Sequence, residues 1–315
     1  MRRVLFIDEI HPCLQEQLEE MGWTCESGID KSQEEILQIL DQYQGLVIRS
    51  RFKLTSEIIS KATQLQFIAR PGAGLENIDT EFAQQQGIHV FNSPEGNRDA
   101  VGEQAMGMLL MLLNNLKRAD AEVRQGKWLR EANRGHEIMG KTVGIIGYGN
   151  MGSTFAKKLR GFDCRVIAYD KYKTGFSQPG IEEVTLAELF ATTDILSIHV
   201  HLTDETRHLV DAHFLDQFTK PIYFINTARG AVVKTTDLVD QLEQGKVIGA
   251  CLDVLEYEST SFEALSKEGL PEAFQYLVQS DRVVLAPHIA GWTHESNRKM
   301  AAYLADKIRA QFGPN

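Results

Sequence analysis

No apolar run in this 315-residue sequence approaches the roughly 20 residues needed to cross a bilayer; the longest extends only from Met106 to Leu113. A membrane partner is not expected. Cysteine is scarce: Cys13, Cys25, Cys164 and Cys251 show no paired metal spacing, and Cys164 and Cys251 fall in strand-like apolar runs where a thiol behaves as a small hydrophobe. A reducing compartment and no metal follow. Positive charge is in deficit, with 33 Lys and Arg against 43 Asp and Glu and a formal net charge of -10, which argues against a nucleic acid held through its phosphates. Asp8 and Glu9 interrupt the apolar run behind Arg2 and Arg3, so no signal peptide reads at the start. The cytoplasm is the expected compartment. No internal repeat, low-complexity tract or linker rich in Pro, Gly or Ser divides the chain.

What is present is an ordinary globular composition, 43% hydrophobic and 24% charged, on a length that fits two compact domains. Short β-branched or apolar runs alternate with helix-length amphipathic segments, the pattern of βαβ units on parallel sheets. Strands are predicted at 4–7, 45–49, 66–69 and 89–91, separated by helices near 12–21, 32–40, 55–61 and 80–86. A long helix follows from about Arg98 to Leu116, apolar over more than one face. It must be buried, either as a core helix or as an interdomain or subunit contact. A second series of strands is predicted at 142–146, 165–169, 194–199, 222–226, 247–252 and 283–286. The boundary is expected inside a helix, and the amphipathic segment at 295–312 is expected to return to the first domain.

The strand Thr142 to Ile146 runs directly into Gly147-Tyr148-Gly149-Asn150-Met151-Gly152, after which Phe155, Ala156 and Leu159 have helical spacing. In that context Gly147 permits a tight turn, Gly149 lets the backbone approach a pyrophosphate, and Gly152 lets helix and strand pack closely. A second strand ends at Asp170, about 20 residues on, where a carboxylate can accept both ribose hydroxyls of adenosine. NAD is the cofactor this pattern predicts.

Three further strand ends carry polar residues: Asn226-Thr227-Ala228-Arg229-Gly230, Asp253 to Glu258, and Pro287-His288-Ile289-Ala290-Gly291. Reducing a 2-keto acid needs a cation to hold the carboxylate and polarise the carbonyl, an acid to protonate the oxygen, and a partner to keep that acid charged. Arg229, His288 and Glu258 are candidates for these roles.

With these segments in view the chain resembles the D-2-hydroxyacid dehydrogenase family over essentially its whole length. The motifs from Gly140 to Gly152, Asn226 to Gly230, Asp253 to Glu258, and Pro287-His288 carry the resemblance. It implies Arg229, Glu258 and His288 as a catalytic trio. For the cofactor it implies Gly147, Gly149, Asn150, Met151, Gly152, Asp170, Thr206, Thr227, Ala228, Asp253 and His288, with Asp253 on the nicotinamide amide. It implies a substrate loop at 70–79, the amides of Ala73 and Gly74 holding the substrate carboxylate. The fold implied is two doubly wound α/β domains: a flavodoxin-like substrate domain, 1–97 plus 287–315, with a Rossmann NAD-binding domain inserted at 98–286. The long helix would then belong to a homodimer interface.

Within the family the chain is most similar to phosphoglycerate dehydrogenases of serine synthesis, whose substrate phosphate lies near cations at positions matching Arg49, Arg70 and Arg130. No regulatory domain is expected beyond Asn315. Departures from the family pattern are Ser259 after the glutamate, His201 in place of a proline, Pro71 and Glu76 in the substrate loop, and a long, irregular 259–280 segment. The expected activity is NAD-dependent interconversion of 3-phosphoglycerate and phosphohydroxypyruvate. The alternatives are a hydroxypyruvate or glyoxylate reductase and, from another class, a nucleotide-sensing corepressor.

Overall fold

A computed structural model describes residues 2–258 and 271–313. They form two compact units, 2–98 with 292–313 and 99–258 with 271–291. The chain passes from the first to the second inside the helix Pro94–Leu113, and returns between Gly291 and Trp292.

The first unit holds strands β1 (Arg2–Phe6), β2 (Trp23–Ser27), β3 (Gly45–Val47), β4 (Phe67–Arg70) and β5 (His89–Asn92), all parallel, in the order β2-β1-β3-β4-β5. That is the flavodoxin-like order. Alternation along β1 explains why both faces are covered: Val4 and Phe6 pack with Ala301, Leu304 and Ile308 of helix His294–Phe312, while Leu5 packs on the other face with Ile36 and Leu46. The sequence reading missed β2. Its residues Trp23-Thr24-Cys25-Glu26-Ser27 form an edge strand in which only Trp23 is fully buried, so no apolar run marks it.

The second unit holds β6 (Thr142–Ile146), β7 (Arg165–Tyr169), β8 (Glu182–Glu183), β9 (Ile195–Ile198), β10 (Ile222–Asn226), β11 (Val247–Leu252) and β12 (Val283–Leu285). They pair in parallel in the order β12-β11-β10-β9-β6-β7-β8. Strand order reverses at β6, flanked by β7 and β9, and ligands of open parallel sheets bind at the carboxyl ends beside such a reversal. The candidate segments follow the carboxyl ends of β6, β7, β10, β11 and β12.

The long apolar helix starts earlier than its periodicity suggests and stops at Leu113. Asn115, at φ 53°, adopts the left-handed conformation, and Leu116 belongs to the next helix, Leu116–Arg124. The long helix contributes to the core of the second unit, where its Ala105, Leu109, Leu112 and Leu113 pack with Val143, Ile145 and Phe155. Residues 259–270 of the irregular segment lie outside the described residues, and the rest contains the short helix Glu272–Gln279.

Candidate active site

The turn after β6 is tied to the end of β7. Gly147 donates its amide to the Tyr169 carbonyl at 2.9 Å, and Tyr148 donates to the Asp170 carboxylate at 2.7 Å. Gly147 has φ +91°, and a β-carbon there would stand 2.5 Å from the His199 carbonyl oxygen. At Gly152 a β-carbon would stand 2.0 Å from the Gly147 oxygen, so a side chain would push the helix Asn150–Lys158 off the turn. The amides of Asn150 and Met151 in the first turn of that helix have no intrahelical acceptor and suit an anion. Asp170 is set firmly, its other oxygen accepting the amides of Tyr172 at 2.9 Å and Lys173 at 3.0 Å.

Further along the sheet, the Thr227 hydroxyl at the end of β10 is buried with no hydrogen-bond partner among the described residues. An orphaned buried hydroxyl at the same carboxyl-end edge of the sheet as the glycine turn fits a dinucleotide. Ala228 next to it is held by the Asn226 side chain, which accepts its amide at 3.0 Å. Thr206 closes its own loop, its hydroxyl donating to the carbonyl of His201 at 2.5 Å and contacting Thr203.

Glu258 and His288, 30 residues apart in sequence, meet side chain to side chain: His288 Nδ1 lies 2.6 Å from Glu258 Oε2. The other carboxylate oxygen, Oε1, accepts the Leu255 amide at 2.5 Å, which fixes the carboxylate. His288 has φ 56°, a conformation a β-carbon disfavours and one of the few such non-glycine residues here. Asp253 holds it there. The Asp253 carbonyl accepts the His288 amide at 2.7 Å, and its two carboxylate oxygens accept the amides of Ile289 at 3.0 Å and Ala290 at 2.9 Å. Burial pushes the Asp253 carboxyl up from the ordinary carboxylate range, while those two amides and His288 pull it back. Asp253 therefore works first as a clamp on the His288 turn.

Arg229 begins the short helical turn Gly230–Val232, with its Nη1 on the Ala228 carbonyl at 2.7 Å and its own carbonyl accepting Asn226 Nδ2 at 3.0 Å. Gly230 behind it is a contact the sequence reading did not weigh. A β-carbon there would lie 2.0 Å from the carbonyl of Leu255, so the segment carrying Glu258 rests directly on the backbone beside Arg229.

His199, at the end of β9, has its Nε2 2.9 Å from Ser197 Oγ and its Nδ1 buried without a partner among the described residues. Burial lowers its pKa to about 4 from 6.5. The unfolded chain therefore binds this proton more readily: stability is fully present above about pH 6.5 and falls as pH drops towards 4, by at most about 3 kcal/mol. Urea midpoints across that window should fall steeply in the parent and less steeply in His199→Gln. Equal slopes would remove His199 as the cause.

In the first unit Arg49 is braced on three sides. Its amide donates to Asp8 at 2.6 Å, and its carbonyl accepts Arg70 Nε at 3.0 Å and Asn77 Nδ2 at 3.3 Å. Its guanidinium lies over the Trp292 ring, 4.6 Å from the centroid. Arg70 is buried, its Nε shared between Arg49 and Asn77 Oδ1 and its Nη1 against Gly72. The braces Asp8 and Asn77 were not singled out from sequence. Asn92 Nδ2 donates to the Ala73 carbonyl at 2.7 Å, while the amides of Ala73 and Gly74 donate to no group among the described residues. Arg130 is exposed in the second unit.

The profile of the D-isomer specific 2-hydroxyacid dehydrogenase NAD-binding domain matches residues 106–290, more than half of the chain. The chain is 37% identical over 280 residues to a hydroxypyruvate reductase of Thermotoga maritima, covering 89% of this chain and 88% of that protein. To a D-3-phosphoglycerate dehydrogenase of Archaeoglobus fulgidus it is 32% identical over 308 residues, 97% of this chain but only 56% of that longer protein. A solved D-lactate dehydrogenase from Aquifex aeolicus, in complex with NAD and lactic acid, superposes with a TM-score of 0.82 at 26% identity, covering 98% of this chain and 95% of the other.

Proposed function

This chain belongs to the NAD-dependent D-isomer specific 2-hydroxyacid dehydrogenase family, and on that premise we propose that it reduces hydroxypyruvate or a similarly small, unphosphorylated 2-keto acid. The observation that carries the family chemistry to particular residues is the hydrogen bond between His288 and Glu258. The nicotinamide cofactor supplies the hydride to C2 of the keto acid, or accepts it in the reverse direction. With Nδ1 of His288 committed to Glu258, the proton for the carbonyl oxygen is held at Nε2. Glu258 fixes the orientation of the ring. Arg229 holds the substrate carboxylate and polarises the carbonyl, since a planar guanidinium can serve both oxygens. By the family resemblance, the amides of Ala73 and Gly74 and the guanidinium of Arg49 are proposed as substrate-binding groups of the first unit. The first unit is accordingly proposed as the substrate domain and the second as the NAD domain.

Two observations favour hydroxypyruvate over the phosphorylated substrate suggested by the arginines. Arg70 is buried and spends its Nε on Arg49 and Asn77, which leaves it a brace. The hydroxypyruvate reductase is also the more similar of the two relatives, 37% against 32% identical. Phosphohydroxypyruvate remains the second reading, supported by Arg49 and Arg130. A homodimer is part of the proposal too: exposed Leu116, Val123, Trp128, Leu129 and Met139 offer apolar surface to a second copy.

The test compares kcat/KM for hydroxypyruvate, glyoxylate and phosphohydroxypyruvate with NADH and NADPH. Hydroxypyruvate with NADH should give the highest value. Asp170 would face the 2'-phosphate of NADPH at about 5 Å, which costs on the order of 3 kcal/mol at an effective dielectric near 20, less where Lys173 offsets it, so NADH should win by roughly tenfold to a hundredfold. A preference for phosphohydroxypyruvate would hand the substrate to the second reading. Equal efficiency with both cofactors would remove Asp170 from cofactor choice.

A further inference from the structure

Two residues before Glu258 a second carboxylate holds a second imidazole. Glu256 Oε1 lies 2.6 Å from His208 Nε2, and its Oε2 accepts the amide of Thr235 at 3.0 Å. Neither residue takes part in the proton chemistry above. His208 is presented on a fixed turn: it has φ 54°, and its amide donates to the Ala231 carbonyl at 2.9 Å. The Glu256 side chain is 24% exposed, and one of its two contacts is a backbone amide in the first turn of the helix Thr235–Glu243. A partly exposed carboxylate–imidazole contact of this kind would by itself contribute little. This one sits on the segment that carries Glu258.

That segment has two sides. On one side Leu255 and Glu256 rest on Gly230, where there is no room for a β-carbon. On the other, Glu256 is drawn to Thr235 and His208. Between these holds the Leu255 amide donates to Glu258 Oε1, and Glu258 Oε2 reaches His288. A shift of the Glu256 backbone is therefore passed on to the carboxylate that orients the acid. Lys234, paired with Asp237 at 2.9 Å, together with Asp211 and Tyr257, makes up the charged and titratable surroundings of the pair.

We propose that His208 and Glu256 are positioning residues, a carboxylate–imidazole clasp that fixes the loop bearing Glu258 and so sets the geometry of the Glu258–His288 hydrogen bond. The proposal rests on the functional reading above and adds to it residues that touch neither substrate nor cofactor. Releasing the clasp leaves substrate binding intact and loosens the pair. A loosened carboxylate lets the imidazole ring take more than one orientation, so Nε2 is aimed at the carbonyl oxygen for less of the time.

The experiment measures kcat and KM for hydroxypyruvate reduction by the parent, His208→Ala, His208→Gln and Glu256→Gln. For His208→Ala, kcat should fall about tenfold with KM within about twofold. His208→Gln, which still donates to Glu256, should recover most of the lost kcat. A kcat within twofold of the parent, a KM that rises as much as kcat falls, or no recovery in His208→Gln overturns the proposal. Should His208→Ala fail to fold by circular dichroism, Glu256→Gln is read by the same criterion. An inactive parent would overturn the functional reading alone. The clasp would then be tested by proton NMR: the far-downfield proton of the Glu258–His288 bond should be sharp in the parent and lost or broadened in His208→Ala, and its persistence would overturn the clasp.

Discussion

His288→Ala is expected to lower kcat for keto-acid reduction by roughly 10²- to 10⁴-fold, the range for loss of a positioned acid or base. The fold around the position should survive, because what holds the turn is backbone: the amides of residues 288, 289 and 290 bond to Asp253 whatever side chain residue 288 carries. Alanine has a β-carbon like histidine, so the cost of the φ of 56° is much the same. NADH affinity and the KM for the keto acid should change little, which separates a lost proton donor from a collapsed site. Single-turnover measurement reads the chemical step free of product release. A kcat within tenfold of the parent would take His288 out of the role.

Gly230→Ala is expected to cost about a hundredfold in kcat, although residue 230 has no side chain and touches no reactant. Its β-carbon would meet the Leu255 carbonyl at 2.0 Å and the Glu256 nitrogen at 2.5 Å, both backbone atoms that cannot rotate away. Relief requires the Leu255–Glu258 segment to move by the order of an ångström, and displacements of that size at a catalytic group cost about 10²-fold. Overpacking of the same contact should lower stability by about 1–3 kcal/mol. The two effects are read separately, by kcat well below the melting temperature and by chemical denaturation. A Gly230→Ala protein with the parent's kcat would mean that the loop carrying Glu258 tolerates displacement, and the positional argument would fail with it.

Much of this architecture was legible because its signals are local. Buried parallel strands are continuous apolar runs, so β1, β6, β9 and β10 stand out. The polar edge strands β2 and β8 do not, since an edge needs only one covered side and one bonded neighbour. The helix Pro94–Leu113 was placed but its end misjudged, because apolar periodicity runs on through Leu116 while Asn115 turns left-handed.

At the candidate site, the strand-end motifs identify Arg229, Glu258 and His288 as residue types. The inward turn of Arg70 and the grip of Asp253 on the His288 turn depend on packing that spacing does not encode. Glu256 and His208 were passed over for the same reason, being separated by 48 residues and joined only in the fold.

The central claim is that this chain transfers hydride at C2 of a D-2-hydroxy acid through His288, Glu258 and Arg229. The most direct test incubates the purified protein with NAD and either D- or L-glycerate and follows NADH formation at 340 nm. D-glycerate should give steady NADH formation that is abolished in His288→Ala, with L-glycerate at background. Equal rates with the two enantiomers, or D-glycerate oxidation undiminished in His288→Ala, would contradict it.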